Sequence, residues 1–327
     1  MNILITGGAG FIGSHLSEKL ISLDHNVVII DNLVNGNKKN LGNIINNKKL
    51  KLSISDIRDK KTIEKEFENI DIVFHLAALA DIVPSIENPN EYYSTNVTGT
   101  FNILDLSKKY NVKKIIYAAS SSCYGIAKEI PTTENALIQP QYPYALTKYL
   151  GEELIKHWGI VYGLDYVSLR FFNVFGPRSR TSGSYGAVFG VFLAQKLAEQ
   201  PFTIVGDGNQ KRDFTYIDDI VDSLLASMNE NIKNEIFNIG SGNCYSINYL
   251  TDLIGGDKIY IPKRPGEPDQ TFANIEKAIK FLNWQPKVSF ELGVEKILNN
   301  IAYWADAPVW SPESINKATK KWFQYLK

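Results

Sequence analysis

Tyr144 and Lys148 stand four residues apart in Tyr144-Ala145-Leu146-Thr147-Lys148, a spacing that puts a phenol and an ammonium on one face of a helix. A free phenol has a pKa of about 10, roughly three units too high for a base at neutral pH. A nearby positive charge favours the phenolate and lowers that value. Upstream, Ala118-Ala119-Ser120-Ser121-Ser122-Cys123-Tyr124-Gly125 carries three hydroxyls where an apolar run ends. Exposed Tyr/Lys pairs are common on helices, and Ser-rich turns form for their own sake. The serines upstream and Pro143 just before the tyrosine single this pair out as a proton-transfer centre.

A second constellation lies at the start of the chain. Thr6-Gly7-Gly8-Ala9-Gly10-Phe11-Ile12-Gly13 follows an apolar run and opens a helical pattern. Gly7 permits a tight turn, Gly10 a close approach of backbone to a pyrophosphate, and Gly13 close packing of helix on strand. The phosphates then lie on the helix N-terminus, where unpaired N–H groups and the dipole favour negative charge. Asp31 ends the next strand, where a carboxylate accepts from adenosine ribose hydroxyls. Asn32 and Leu33 follow it and no Arg does, so a 2′-phosphate would meet an unopposed charge and NAD is expected over NADP. Asp56 and Ile57, after the third strand, are expected beside the adenine. A bound nicotinamide would add its positive charge to that of Lys148 at the phenol.

Such residues need a scaffold that brings strand ends together. Asn2–Thr6, Val27–Ile30, Leu50–Ile54, Ile72–Phe74, Lys114–Ala119 and Tyr166–Leu169 read as buried strands. Phe11–Ser22, Lys60–Phe67, Glu91–Tyr110 and Tyr142–Tyr162 show helical spacing between them. This alternation predicts an α/β fold, a doubly wound parallel sheet of Rossmann type. Ligands in such folds bind outside the carboxyl ends of the strands. The rhythm changes after Asn173. Loop chemistry at Gly176-Pro177 and Ser182–Gly186 is followed by short strands and helices of a smaller, partly interleaved lobe. The strands are Phe202–Val205, Asp213–Tyr216, Glu235–Ile239 and Lys258–Ile261; the helices are Gly190–Ala198, Asp218–Met228 and Asn274–Phe281. The expected division is 1–172 for the dinucleotide and 173–327 for the substrate, with interleaving around 210–240. The tail from Glu291 reads as helical, and Trp304, Trp310 and Trp322 are expected to dock on the body or on a second subunit.

The bulk numbers narrow the field. With 35 basic and 35 acidic side chains the net charge is zero, which gives no field for nucleic acid or an anionic membrane. Any anion must be held by placed guanidiniums, whose forks suit phosphate. No apolar run reaches the roughly 18 residues a membrane helix needs. The chain enters a strand pattern at once, without a basic leader. Two cysteines, Cys123 and Cys244, fit no metal spacing and no disulfide framework, so no metal is expected and a reducing cytoplasm is. His15, His25 and His157 are read as structural.

Over nearly all of residues 1–296 the chain resembles the extended short-chain dehydrogenase/reductases. The likeness rests on the glycine fingerprint, Asp31, His75-Leu76-Ala77-Ala78, Asn96, Ser120, Tyr144/Lys148, Leu169 to Gly176, Gly206-Asp207-Gly208 and Arg212-Asp213-Phe214. Within that family it looks most like the UDP-hexose and UDP-N-acetylhexosamine 4-epimerases. The resemblance implies that Ser120 and Tyr144 contact the sugar 4-OH. It implies that Lys148 binds the nicotinamide ribose, that Ala77, Ala78 and Asn96 line the cofactor, and that Ser121 and Ser122 face the sugar. Asn173, Arg212 and Arg264 would hold a nucleotide diphosphate, most plainly that of a UDP-sugar. Thr271 matches a position where a tyrosine narrows the pocket, so its small size should admit a 2-N-acetyl group. In the family, helices matching Glu91–Tyr110 and Tyr142–Tyr162 form a four-helix interface, and a homodimer follows. The related 4,6-dehydratases carry an acid after the strand-end Ser or Thr, because removing water across C5 and C6 needs an acid and a base. Ser121 and Ser122 stand there here, which favours epimerisation over dehydration. A third reading, a non-catalytic protein that binds NAD or a nucleotide-sugar, is opposed by the intact Ser120/Tyr144/Lys148 set. Residues 297–327 run past the end of the likeness.

Overall fold

The computed structural model describes residues 1–179 and 187–326; the expected loop at Ser182–Gly186 lies outside them. Runs of aliphatic residues form the strands β1 (Asn2–Thr6), β2 (Asn26–Asp31), β3 (Leu50–Ile54), β4 (Ile72–His75), β5 (Lys114–Ser120) and β6 (Asp165–Phe171), all largely buried on both faces except β3, which is half-exposed. Helices cross between them: α1 (Phe11–Ser22), α2 (Lys60–Ile63), α3 (Ile82–Glu87), α4 (Pro89–Tyr93), α5 (Gly99–Lys109) and α6 (Pro143–Tyr162). A π-type turn over Ser94–Thr98 joins α4 to α5, so the helix expected at Glu91–Tyr110 is interrupted.

The remaining elements are β7 (Asn173–Phe175), α7 (Val188–Leu197), β8 (Phe202–Val205), β9 (Lys211–Arg212), β10 (Phe214–Tyr216) and α8 (Ile217–Ala226). They continue with β11 (Glu235–Ile239), β12 (Tyr245–Ser246), α9 (Ile247–Ile254), β13 (Lys258–Ile261), α10 (Phe290–Leu298) and α11 (Pro312–Tyr325). The main sheet has seven parallel strands in the order β11-β6-β5-β4-β1-β2-β3. The doubly wound parallel sheet expected from the sequence is what forms. β11 is its edge strand, paired with β6. Three two-stranded ribbons, β7 with β10, β9 with β12 and β8 with β13, build the substrate side.

Side chains alternate across the pleat into two cores. Ile3, Ile5, Phe74, Ile116 and Ala118 join the core beneath α1, α7 and α8. Leu4, Val73, Ile115, Tyr117 and Ala119 join the one beneath α2, α5 and α6. The strands are therefore nearly all apolar rather than alternating, as a sheet covered on both sides requires.

Two elements were not legible in the sequence. Pro84 falls within α3, which disguises a helix of six residues. The tail is not one helix: α10 ends at Leu298, a 3₁₀ turn covers Ile301–Trp304, and α11 starts at Pro312 behind a Ser311 capping box.

One buried ion pair ties α6 to the sheet. The Arg170 guanidinium on β6 donates from Nη2 to Glu152 Oε1 at 2.6 Å, and from Nε to both oxygens. Glu152 also accepts from Ser168, while Arg170 Nη1 donates to the Tyr124 hydroxyl and the Glu134 carbonyl. Both partners are almost wholly buried, so removing one strands a charge in the core. Arg170→Leu should therefore lower unfolding stability by about 3–5 kcal/mol, read as a shifted midpoint in urea at an unchanged slope. A loss under about 1 kcal/mol would mean that Glu152 finds water or a proton instead.

Candidate active site

The glycine loop leaves β1 and turns into α1 at the carboxyl edge of the sheet. Gly7 has φ +72°, and a Cβ on it would lie 2.9 Å from the Ala77 backbone; one on Gly13 would collide with the Gly7 carbonyl oxygen. Both must be glycine for the glycine loop, the helix and the loop after β4 to meet. Gly10 is the N-cap of α1 and makes no side-chain cap, and no acid stands in the first turn. Ser246, Ser289 and Ser311 do cap α9, α10 and α11. The N–H groups of α1, with Phe11 and Ile12 beside them, are left open to an anion.

Asp31 ends β2 and accepts from Ala9 N at 2.9 Å and Leu33 N at 2.8 Å. It thus pins the glycine loop to the second strand, and burial pushes its carboxyl above the usual range. Asn32 donates to Asp56, whose second bond is to Arg58; that guanidinium holds Asp56 down to about 2. Ile57 is buried against Gly99. Ala77 N donates to Thr6 Oγ1, which brings Ala77 and Ala78 beside the loop. Asn96 is buried, with its oxygen accepting from Leu79 N and its amide donating to Leu79 O and Thr147 Oγ1. Its side chain braces the strand-end loop against α6. These features fit a dinucleotide: an uncapped helix start, a cradle that any Cβ would fill and a carboxylate at the end of β2.

Twenty-four residues separate Ser120 from Tyr144, yet the Tyr144 hydroxyl donates to Ser120 Oγ at 3.2 Å. Ser120 Oγ lies 2.8 Å from Ser122 Oγ and also accepts from Ser122 N, so Ser122 completes the 3₁₀ turn that includes Ser121. Lys148, one turn along α6, points its Nζ at the Tyr117 ring, 4.2 Å from the centroid. The Tyr117 hydroxyl in turn donates to the Lys148 carbonyl.

The electrostatics differ from the sequence argument. Burial pulls Lys148 down to about 7, opposed by the charge of Glu152. Burial also pushes the Tyr144 phenol up, opposed by its bonds to Ser120 and Ser122, and the charge of Asp81 adds to the rise. Burial outweighs the hydrogen bonds at the phenol, and the lowering expected from the sequence calls on the charge of a bound nicotinamide as well as on Lys148.

Of the residues assigned to the diphosphate, Asn173 Nδ2 donates to Thr271 Oγ1 at 2.9 Å and to the Asp213 carbonyl. Thr271 Oγ1 also accepts from Asp213 N. Arg212 Nη2 lies 3.0 Å from Glu267 Oε1, and Arg264 Nη1 lies 3.9 Å from its other oxygen. Of these groups Arg212 and Glu267 line a cleft of about 490 Å³, together with Val205–Asp207, Lys263 and Asp269. Sequence reading missed Glu267, which bridges the two guanidiniums, and Tyr142, whose ring stacks on Tyr144 at 6.3 Å. Its place before Pro143 was the only signal. Cys123 is buried beside Phe172 and Ala273. Among the described residues, no three His, Cys, Asp or Glu side chains cluster to hold a metal.

The pattern of the NAD dependent epimerase/dehydratase family matches residues 3–240. The chain belongs to that family. A UDP-glucuronate 4-epimerase of Thermodesulfobacterium geofontis is 37% identical over 327 residues, covering 95% of this chain and 96% of its own. The UDP-glucose 4-epimerase of Thermotoga maritima, solved with UDP-glucose, superposes with a TM-score of 0.86 at 35% identity, covering 94% and 99%. The UDP-glucuronic acid 4-epimerase of Bacillus cereus, solved with its UDP-sugar and NAD, gives 0.86 at 34% identity, covering 92% and 99%. The resemblance read from the motifs is thus the family to which the chain belongs, and NAD is its cofactor.

Proposed function

We propose that the protein epimerises a UDP-linked hexose or N-acetylhexosamine at C4 through a 4-keto intermediate. The single observation that carries this reading is the Ser120–Tyr144 contact at the rim of an NAD-type sheet, with Ser121 and Ser122 where a dehydratase needs a carboxylate. NAD, when bound, supplies a reversible hydride acceptor. Tyr144 takes the O4 proton as the ketone forms and returns it when the alcohol is restored. Ser120 shares the hydrogen bond to O4, and Lys148 adds the positive charge that burial alone denies the phenol. Asn173, Arg212 and Arg264 hold the diphosphate while the hexose turns over.

Incubation with UDP-, dTDP-, GDP- and CDP-sugars, followed by NMR, should give a C4 epimer with no net consumption of NAD. Tyr144→Phe should cut turnover roughly 100- to 10,000-fold with cofactor still bound. Lys148→Ala should cost a similar factor and move the acid limb of the pH profile upward, since the phenol then loses its cationic neighbour. A 4-keto-6-deoxy product, or one NAD(P)H spent per turnover, overturns the reading.

Thr271 supports N-acetyl sugars through its small size, but its hydroxyl also steadies Asn173. The two roles separate by substitution. Thr271→Tyr should shift the ratio of N-acetylated to plain hexose turnover by about 5- to 150-fold against the former. Thr271→Val, which keeps the volume, should lower both sugars without moving the ratio. An unmoved ratio in Thr271→Tyr removes Thr271 as a gate.

A homodimer is supported by the outer face of α4 to α6, where Tyr93, Phe101, Ile160, Val161 and Tyr162 are exposed. Tyr93 and Ile160 line a groove with Val97, Leu150 and Leu154, among which Glu153, Lys156 and His157 also stand. Contiguous apolar surface of this kind marks an interface, and a twofold pair is the commonest assembly. Light scattering at micromolar concentration should report two chains; one chain removes the claim. Among the described residues no helix is long and apolar enough to cross a membrane. The free thiols of Cys123 and Cys244 support a cytoplasmic setting.

A further inference from the structure

The tail carries no family motif, yet α11 lies across the substrate side. Its inner face buries Ile315, Thr319 and Trp322, and it packs on α3. Trp322 is the residue that reaches the Arg264 turn and Tyr142. Its indole N–H donates to the Pro265 carbonyl at 2.7 Å, on the turn that carries Arg264 and Gly266. The Arg264 guanidinium lies over the Trp322 ring, 5.4 Å from its centroid. The Tyr142 ring packs 6.4 Å from the indole and itself stacks on Tyr144. One side chain therefore meets both the guanidinium assigned to the diphosphate and the aromatic wall behind the phenol.

We propose that Trp322 is a positioning residue for the diphosphate of the substrate, holding the Arg264 guanidinium flat at the cleft while its N–H fixes the turn beneath. The inference rests on the reading of Arg264 as a diphosphate ligand. The physical case is one of preorganisation. An arginine side chain has several rotatable bonds, and an unrestrained one loses that freedom when it binds phosphate. Stacking on an indole restricts it beforehand while its edge N–H groups still face oxygen acceptors. The carboxylate of Glu267, 3.9 Å away, cannot do this alone because it also engages Arg212. The helix that delivers the indole is anchored independently, by the Ser311 box and by α3, so the tail acts as a strut for this corner of the site.

The test uses the full chain with NAD bound and measures affinity for UDP and for uridine by calorimetry, with kcat and KM for the sugar nucleotide. Trp322→Ala should weaken UDP by about 3- to 30-fold, the range expected when a cation–π interaction is removed from a partly desolvated site. Uridine affinity and NAD content should change less than about twofold. Trp322→Leu keeps apolar volume without the π face and should show the same loss, which carries the test if Trp322→Ala does not fold. Trp322→Phe should restore most of the affinity. In a double-mutant cycle, Arg264→Ala with Trp322→Ala should be no weaker for UDP than Arg264→Ala alone. Equal weakening of UDP and uridine, or additive losses in the cycle, would leave Trp322 a merely structural residue and overturn the inference. A normal UDP affinity in Trp322→Ala and Trp322→Leu, with Arg264→Ala impaired, overturns it while sparing the reading of Arg264. A normal affinity in Arg264→Ala removes that reading and this inference together.

Discussion

A buried lysine sets the terms for the centre of this protein. Lys148 lies inside the contact between α6 and the sheet, where desolvation pulls its pKa down to about 7. Its ammonium rests on the face of Tyr117 rather than on a carboxylate, and Glu152 helps only from one turn along the helix. Tyr117 must then be held rigidly, and it is. Its hydroxyl bonds to the Lys148 carbonyl, and its ring lies 5.6 Å from that of His75. His75, in turn, is suspended between the hydroxyls of Thr6 and Thr100. Thr6 ends β1, one residue before the glycine loop. A chain of buried hydrogen bonds and ring contacts therefore runs from Thr6 through His75 and Tyr117 to the lysine.

The same economy explains the Glu152–Arg170 pair. Glu152 serves two ends: it neutralises Arg170 on β6 and raises Lys148 against desolvation. His75 does the opposite. Burial lowers its pKa to about 3, so it stays neutral beside Lys148 and adds no repulsion. The phenol is left as the group whose charge state depends on what else enters the site. Burial pushes that phenol up, against its hydrogen bonds to Ser120 and Ser122.

On the substrate side the chain relies on ribbons and packed aromatics instead of a continuous sheet. Phe175, Phe214, Tyr245 and Phe290 stack in one cluster beneath β9 and β10. That cluster carries Arg212 and the Asp213 carboxylate, which burial raises to about 6 while it still accepts from Ser241 and Ala273. One core runs unbroken from Ile5 and Leu16 beneath the main sheet through Phe192 and Phe214 to Trp304 and Ile315 of the tail.

What the sequence determined by itself was local and periodic. Apolar runs of strand length alternating with helical spacing specify a parallel sheet, because only a strand covered on both faces is apolar throughout. The glycine triplet was legible because Gly7 and Gly13 answer to backbone sterics within a short segment, and Tyr144 and Lys148 because four residues make one turn. Tertiary structure decided whatever depends on groups distant in sequence. It brought Ser120 within reach of Tyr144, turned the Thr271 hydroxyl onto Asn173, spent the Asn96 amide on a loop brace and laid Trp322 against Arg264. It also added burial, which pushes the Tyr144 phenol up, to the charges that the spacing brings to it. Spacing reports which charges can face each other, but burial sets what charging costs, and burial is a property of the packed whole.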